Sequence, residues 1–244
     1  MSEMIINFYK ASDTKEALLN NVKTDSSVAL IDNINLEVEP LIIEGNNNEP
    51  VKKTINLNGK TLTGGLFIEN GGVVNQADDN TIATDSYGIW AKSYSEVTID
   101  GHGKIAAQDA KYSISVWANG GKVIINNGEF TNAGEGSDLI YASGGGIVEI
   151  YGGMFKGNAM GEGVPGTANA YSCLNVRDAD YKAGNSNIIV YGGTFYNFNP
   201  MNNYSEGPNT NFVANGYTVT LNGIENKEPY SKDLGDVYYK VIKK

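Results

Sequence analysis

The chain has 244 residues, with 30 Gly, slightly more Asn, and only 19% charged residues. Gly and Asn tolerate positive φ, so a chain this rich in both turns too often for a helical bundle, while 41% hydrophobic content still supplies a core. The net charge of -10 and a single arginine, Arg177, exclude the clustered cations that a nucleic-acid face or a bidentate phosphate site requires.

At the N-terminus, Met1 to Lys10 has no basic segment followed by an apolar one, so no Sec signal peptide is expected. No stretch approaches the ~18 apolar residues of a membrane span, so no membrane contact is expected either. The protein is expected to stay in the cytoplasm where it is made, or to leave by another route, such as inside a virus particle. Asp13-Thr14-Lys15-Glu16 has the spacing of a capping box, and Ala17, Leu18 and Val22 supply a narrow apolar face. That predicts a short helix placed to plug the first coil of a repetitive body.

The repeats occupy the middle of the chain. Val97-Thr98-Ile99-Asp100-Gly101, Val123-Ile124-Ile125-Asn126-Asn127, Val148-Glu149-Ile150-Tyr151-Gly152 and Ile188-Ile189-Val190-Tyr191-Gly192 line up, and Ile55-Asn56-Leu57-Asn58-Gly59 is a looser copy. Their spacing of about 26, 25 and 40 residues falls in the range of solenoids. Each is followed by an apolar residue: Ile105, Phe130, Phe155 and Phe195, with Leu62 for the looser copy. Each of the four closer copies is also preceded by a second strand, around Ile89, Val116, Ile140 and Leu174. Three short strands per unit, joined by Gly- and Asn-rich turns, predict an all-β fold, a parallel β-helix whose units bury their apolar faces only by stacking. The expected organisation is one continuous domain: N-terminal cap and first coil at 1–53, coils at 54–197, and a C-terminal loop with closing strands at 198–244. Tyr217 to Leu221 and Val237 to Ile242 alternate like two strands that close the far end, with Pro229 blocking ladder pairing between them. An antiparallel sandwich or barrel is the alternative, disfavoured because two-residue hairpin turns are scarce.

Alternation orients the second strand family. Ile89/Ala91, Val116/Ala118, Ile140/Ala142 and Leu174/Val176 are always apolar and face the core. Trp90/Lys92, Trp117/Asn119, Tyr141/Ser143 and Asn175/Arg177 then face out, because the opposite register would bury Lys92 and Arg177. Trp90, Trp117 and Tyr141, continued by Asn175 and flanked by Arg177, form the candidate ligand- or partner-binding strip. The competing expectation is that loops cover the strip and turn it into a second, small core. The column Asp100, Asn126, Tyr151, Tyr191 is read as structural. The loops Lys156–Tyr171 and Phe198–Gly216, carrying Met160, Met201, Tyr204 and Phe212, are expected either to serve recognition or to be passive insertions.

No catalytic residue, metal site or cofactor is expected. Cys173, the only cysteine, is read as a small strand residue, and Asp178 with Asp180 near Arg177 and Lys182 is a weak acidic candidate. Asp78-Asp79 with Gly101-His102-Gly103 resembles the paired-Asp and Gly-His-Gly motifs of polygalacturonases, whose carboxylates act as general acid and base. The Asn-Thr-Asp and Arg-Ile-Lys elements of that family are absent, and the glycines fall at a repeat turn.

Val190-Tyr191-Gly192-Gly193-Thr194-Phe195-Tyr196-Asn197-Phe198-Asn199-Pro200, with Cys173 to Asp178 and Asn211 to Tyr217, resembles a module of right-handed β-helix proteins in gut Bacteroidales and their crAss-like bacteriophages. Thr54 to Leu62 resembles the first coil of pectate-lyase-like solenoids. The resemblance implies a single-stranded right-handed β-helix of the kind found in head or tail fibres and adhesins, and it carries no catalytic residues onto this chain. The implied function is a non-enzymatic virion component that forms a homo-oligomer or binds other virion proteins or a host-surface polysaccharide. A β-helix polysaccharide lyase or hydrolase and a bacterial surface adhesin are the alternatives.

Overall fold

The computed structural model describes residues 10–25, 27–36, 41–44, 52–56, 62–63, 66–69, 73–77, 81–84, 87–93, 95–100, 104–107, 114–132, 138–156, 173–221 and 238–244. Strand β1 (Lys10–Ser12) precedes helix α1 (Lys15–Thr24). Thr14, and not Asp13, caps that helix: its backbone is extended and its Oγ1 accepts from the Ala17 amide at 3.1 Å. The expected box is therefore one residue out. Glu16 instead lies in the first turn, where its charge complements the helix dipole. Leu18 and Val22 form the buried face, as the apolar spacing required, while Asn21 Nδ2 donates to Ala11 O and Ser12 Oγ and ties the helix to β1.

Short strands then come in triplets. The first three triplets are β2 (Ser27–Leu30), β3 (Ile34–Asn35), β4 (Leu41–Glu44); β5 (Lys52–Asn56), β6 (Leu62–Thr63), β7 (Leu66–Glu69); and β8 (Val73–Ala77), β9 (Thr81–Thr84), β10 (Tyr87–Lys92). The next are β11 (Glu96–Asp100), β12 (Lys104–Ala107), β13 (Ile114–Asn119) and β14 (Lys122–Ile125), β15 (Glu129–Asn132), β16 (Asp138–Ser143). After β17 (Ile147–Ile150), β18 (Met154–Lys156) and β19 (Leu174–Val176) comes helix α2 (Asp178–Ala183). The chain ends with β20 (Asn187–Val190), β21 (Gly193–Tyr196), β22 (Tyr217–Leu221) and β23 (Tyr238–Lys243).

Hydrogen bonding sorts these strands into three sheets. The first is eight-stranded, β1-β2-β5-β8-β11-β14-β17-β20; the second is six-stranded, β19-β16-β13-β10-β7-β4; the third is nine-stranded, β22-β23-β21-β18-β15-β12-β9-β6-β3. From β2 to β21 the chain visits the first, third and second sheets in turn, and each strand pairs in parallel with the one laid down three strands earlier. β23 departs from this, running antiparallel to both β21 and β22. The fold is thus mostly β with parallel sheets, and the antiparallel sandwich is excluded.

The interior is set by register. Val97, Val123, Val148 and Ile188 are aligned strand to strand and buried, as are Ile89, Val116, Ile140 and Leu174. Phe130, Phe155 and Phe195 stack face to face, with centroids 4.9 and 4.6 Å apart. Such a column buries three large rings and adds about 0.5–1.5 kcal/mol per pair beyond their area. Gly153 (φ 107°) and Gly193 (φ 108°) turn the chain onto that column, where an added Cβ would press on the phenyl rings. Cys173 lies buried in the same core.

The far end is closed as the two alternating segments required, by β22 and β23, with Tyr239 and Val241 buried. The segment 198–216, read from the sequence as either a recognition loop or a passive insertion, takes part in this closure. Phe198 and Phe212 are core residues, and Val190 N donates to Phe212 O while Val190 O accepts from Ala214 N, extending the edge of the first sheet. Tyr204 remains exposed. The other long loop, at 157–171 with Met160, lies outside the described residues, as do Asp78, Asp79 and His102.

Candidate functional site: the outer face of the six-stranded sheet

Parallel pairing without a register slip puts equivalent side chains one above the next. Trp90 is opposite Trp117, Trp117 opposite Tyr141, and Tyr141 opposite Asn175. Phe67 and then Ile42 continue the same register on the other side. Ile89, Ala91, Val116 and Ala118 are buried, while Trp90, Trp117, Tyr141 and Asn175 are half-buried, so the alternation holds and the ladder faces outward. Its half-burial lies between the open strip and the fully covered second core that the sequence left as alternatives.

The rings stack on one another. Trp90 and Trp117 are parallel within 3° at 4.6 Å, and Tyr141 tilts 51° from Trp117 at 5.9 Å. The Lys92 ammonium lies over the Trp90 ring, 4.6 Å from its centroid, a cation–π contact. Trp117 Nε1 donates to Ser143 Oγ at 2.9 Å. The two indoles therefore each cover one face of the other.

Past Tyr141 the chemistry changes from aromatic to polar. Asn175 Nδ2 donates to Asp138 Oδ2 at 3.0 Å. Val176 belongs to β19, the edge of this sheet, and its amide donates to Glu206 Oε1 at 2.6 Å. The other oxygen, Oε2, is buried without a hydrogen-bond partner among the described residues. Burial pushes the Glu206 carboxyl up to about 7; Asp178 and Asp138 push the same way, against the Val176 amide and Lys182. Burial and then Asp138 also raise the Tyr141 phenol.

Arg177 is exposed, as the outward register demanded, but it is turned along α2. Its Nε lies 2.9 Å from Asp180 Oδ2, and the same oxygen accepts from the Gly144 amide at 2.8 Å. Asp180 is thus a structural pin, and Asp178 pairs with Lys182 on the exposed side of α2 at 3.7 Å. The structure brings Trp90, Trp117, Tyr141 and Asn175 into one column and places Arg177 at its end, engaged elsewhere. Asp138 opens β16, the strand that carries Tyr141, and Glu206 joins the polar end from the closing segment 198–216, a meeting that no spacing in the sequence signals.

Among the described residues no group of three or more His, Cys, Asp or Glu is arranged to hold a metal ion, and no helix is long and apolar enough to cross a membrane. No family model, curated protein or solved structure matches the chain.

Proposed function

We propose that the chain is a single-stranded right-handed parallel β-helix serving as a structural or adhesion component of a bacteriophage virion, a head or tail fibre or decoration. On this reading the Trp90–Trp117–Tyr141 ladder binds a neighbouring virion protein, or a host-surface glycan at its Tyr141–Asn175 end. The cyclic order of the three parallel sheets supports the β-helix, and the sequence resemblance supports the setting. The observation that carries the binding role is the outward, half-buried ladder itself, since aligned aromatic residues on a sheet face mark contact surfaces.

Trp117→Ala removes the middle ring. The expected result is weakened assembly or glycan binding with near-unchanged far-UV circular dichroism; an unaltered oligomer together with unaltered glycan-array binding overturns the role. A second reading, a glycoside hydrolase, draws on the proton-holding Glu206 carboxyl near Asp138, since such pairs cleave glycosidic bonds. Release of new reducing ends from capsular polysaccharide, abolished by Glu206→Gln, is the result that would replace the first reading with this one.

A further inference from the structure

At the C-terminal end the sheet edges are sealed differently. The first sheet is extended by residues 212–214, and the edge of the six-stranded sheet is met by Glu206. Among the described residues the nine-stranded sheet ends on β22, which pairs there with β23 alone. The Lys244 amide donates to Gly216 O at 2.9 Å, and this sets the phase of the pair. Thr218 with Ile242 and Thr220 with Lys240 exchange the ladder bonds, so the backbone groups of Val219 and Leu221 point away from β23. Tyr217, Val219 and Leu221 pack against the core yet stay half-buried, which leaves an apolar border along an edge unpaired among the described residues.

Such an edge templates another strand unless charge, proline or a bulge blocks it. β22 carries none of these. The sequence has no charged residue from Gly207 to Ile224, in a chain whose net charge of -10 sets two copies against each other elsewhere. We propose that β22 is a self-association surface: two copies of this chain pair β22 antiparallel to β22 about a two-fold axis through Val219, joining their nine-stranded sheets. The strand is self-complementary in that arrangement. Val219 exchanges both outward backbone bonds with its own copy, each Leu221 amide meets the other Tyr217 carbonyl, and Tyr217 packs against Leu221 across the axis. This surface is separate from the aromatic ladder, and its test is independent of the ladder's role.

Sedimentation velocity on the full chain over a concentration series is expected to show a reversible dimer, with amide exchange at Val219 and Leu221 slowing as the dimer fills. Val219→Lys and Val219→Glu each set like charges face to face and are expected to raise the dimer dissociation constant about tenfold or more. Mixing the two variants is expected to restore pairing as a mixed dimer, seen by native mass spectrometry. A wild-type chain that stays monomeric, or whose Val219 and Leu221 amides exchange at a rate independent of concentration, overturns the proposal without recourse to any variant. A dimer indifferent to both substitutions overturns it too, as does recruitment of a strand from another protein to β22 without self-pairing.

Discussion

Glu206 does with one carboxylate what a further strand would do with a carbonyl: it accepts the outward amide of Val176 at the edge of the six-stranded sheet. The position costs it solvation, so the folded chain holds the proton to about pH 7, whereas an ordinary glutamate releases it near 4.5. That difference fixes the sign of the linkage. The stability contributed by the protonated group is complete below the ordinary value and is lost as pH rises to about 7, because the unfolded chain has by then given up a proton the folded chain still binds. Glu206→Gln keeps an acceptor for Val176 and removes the titration. Urea midpoints of wild type and variant should therefore diverge from about pH 5 to about pH 8, with wild type falling behind. Parallel midpoints across that range would mean that the carboxyl is not strained by burial.

Among the elements, α2 is the one that breaks the cycle of strands, and its attachment is local and strong. Asp180 is buried, receives the Gly144 amide and pairs with Arg177, while Ser186 Oγ accepts from the Gly145 amide. Asp180→Ala leaves a buried amide and frees Arg177, at a cost of roughly 2–3 kcal/mol. The expected readouts are a lower urea midpoint and faster amide exchange at Gly144; an unchanged Gly144 rate would show that water replaces the carboxylate. The sequence carries weak signals for this helix, Asp178 and Asp180 in the first turn, Lys182 in the last and Gly184 beyond it, where the structure gives Gly184 a φ of 69°. Six residues are too few for a 3.6-residue period to declare itself, and Arg177 at the N-cap makes no side-chain bond. The strands were legible for the opposite reason, since period-two alternation repeated in several units fixed both the ladder and the core columns. Glu206 was not legible, because its bond to Val176 spans 30 residues and depends on how the closing segment folds back.

At the scale of the molecule, stacked parallel sheets leave open edges at both ends, and each end is finished by a different device. Helix α1 closes one with Leu18 and Val22, and the other depends on β23, inserted between β21 and β22 with Tyr239 and Val241 in the core. A chain lacking residues 238–244 opens β21 and strands β22 without a partner. The expected result is soluble aggregation detected by light scattering at concentrations where the full chain forms nothing larger than a dimer. A truncated chain with unchanged scattering and an unchanged urea midpoint would show that β23 covers the edge without being needed there.

The paired indoles of Trp90 and Trp117 are the only tryptophans in the sequence, and they lie in van der Waals contact on consecutive strands of one sheet. Parallel chromophores at 4.6 Å share their excitation. The tryptophan fluorescence of this protein therefore originates from a single joint, β10 against β13. Spectroscopic unfolding followed through tryptophan reports the parting of those two strands, and says nothing directly about either end.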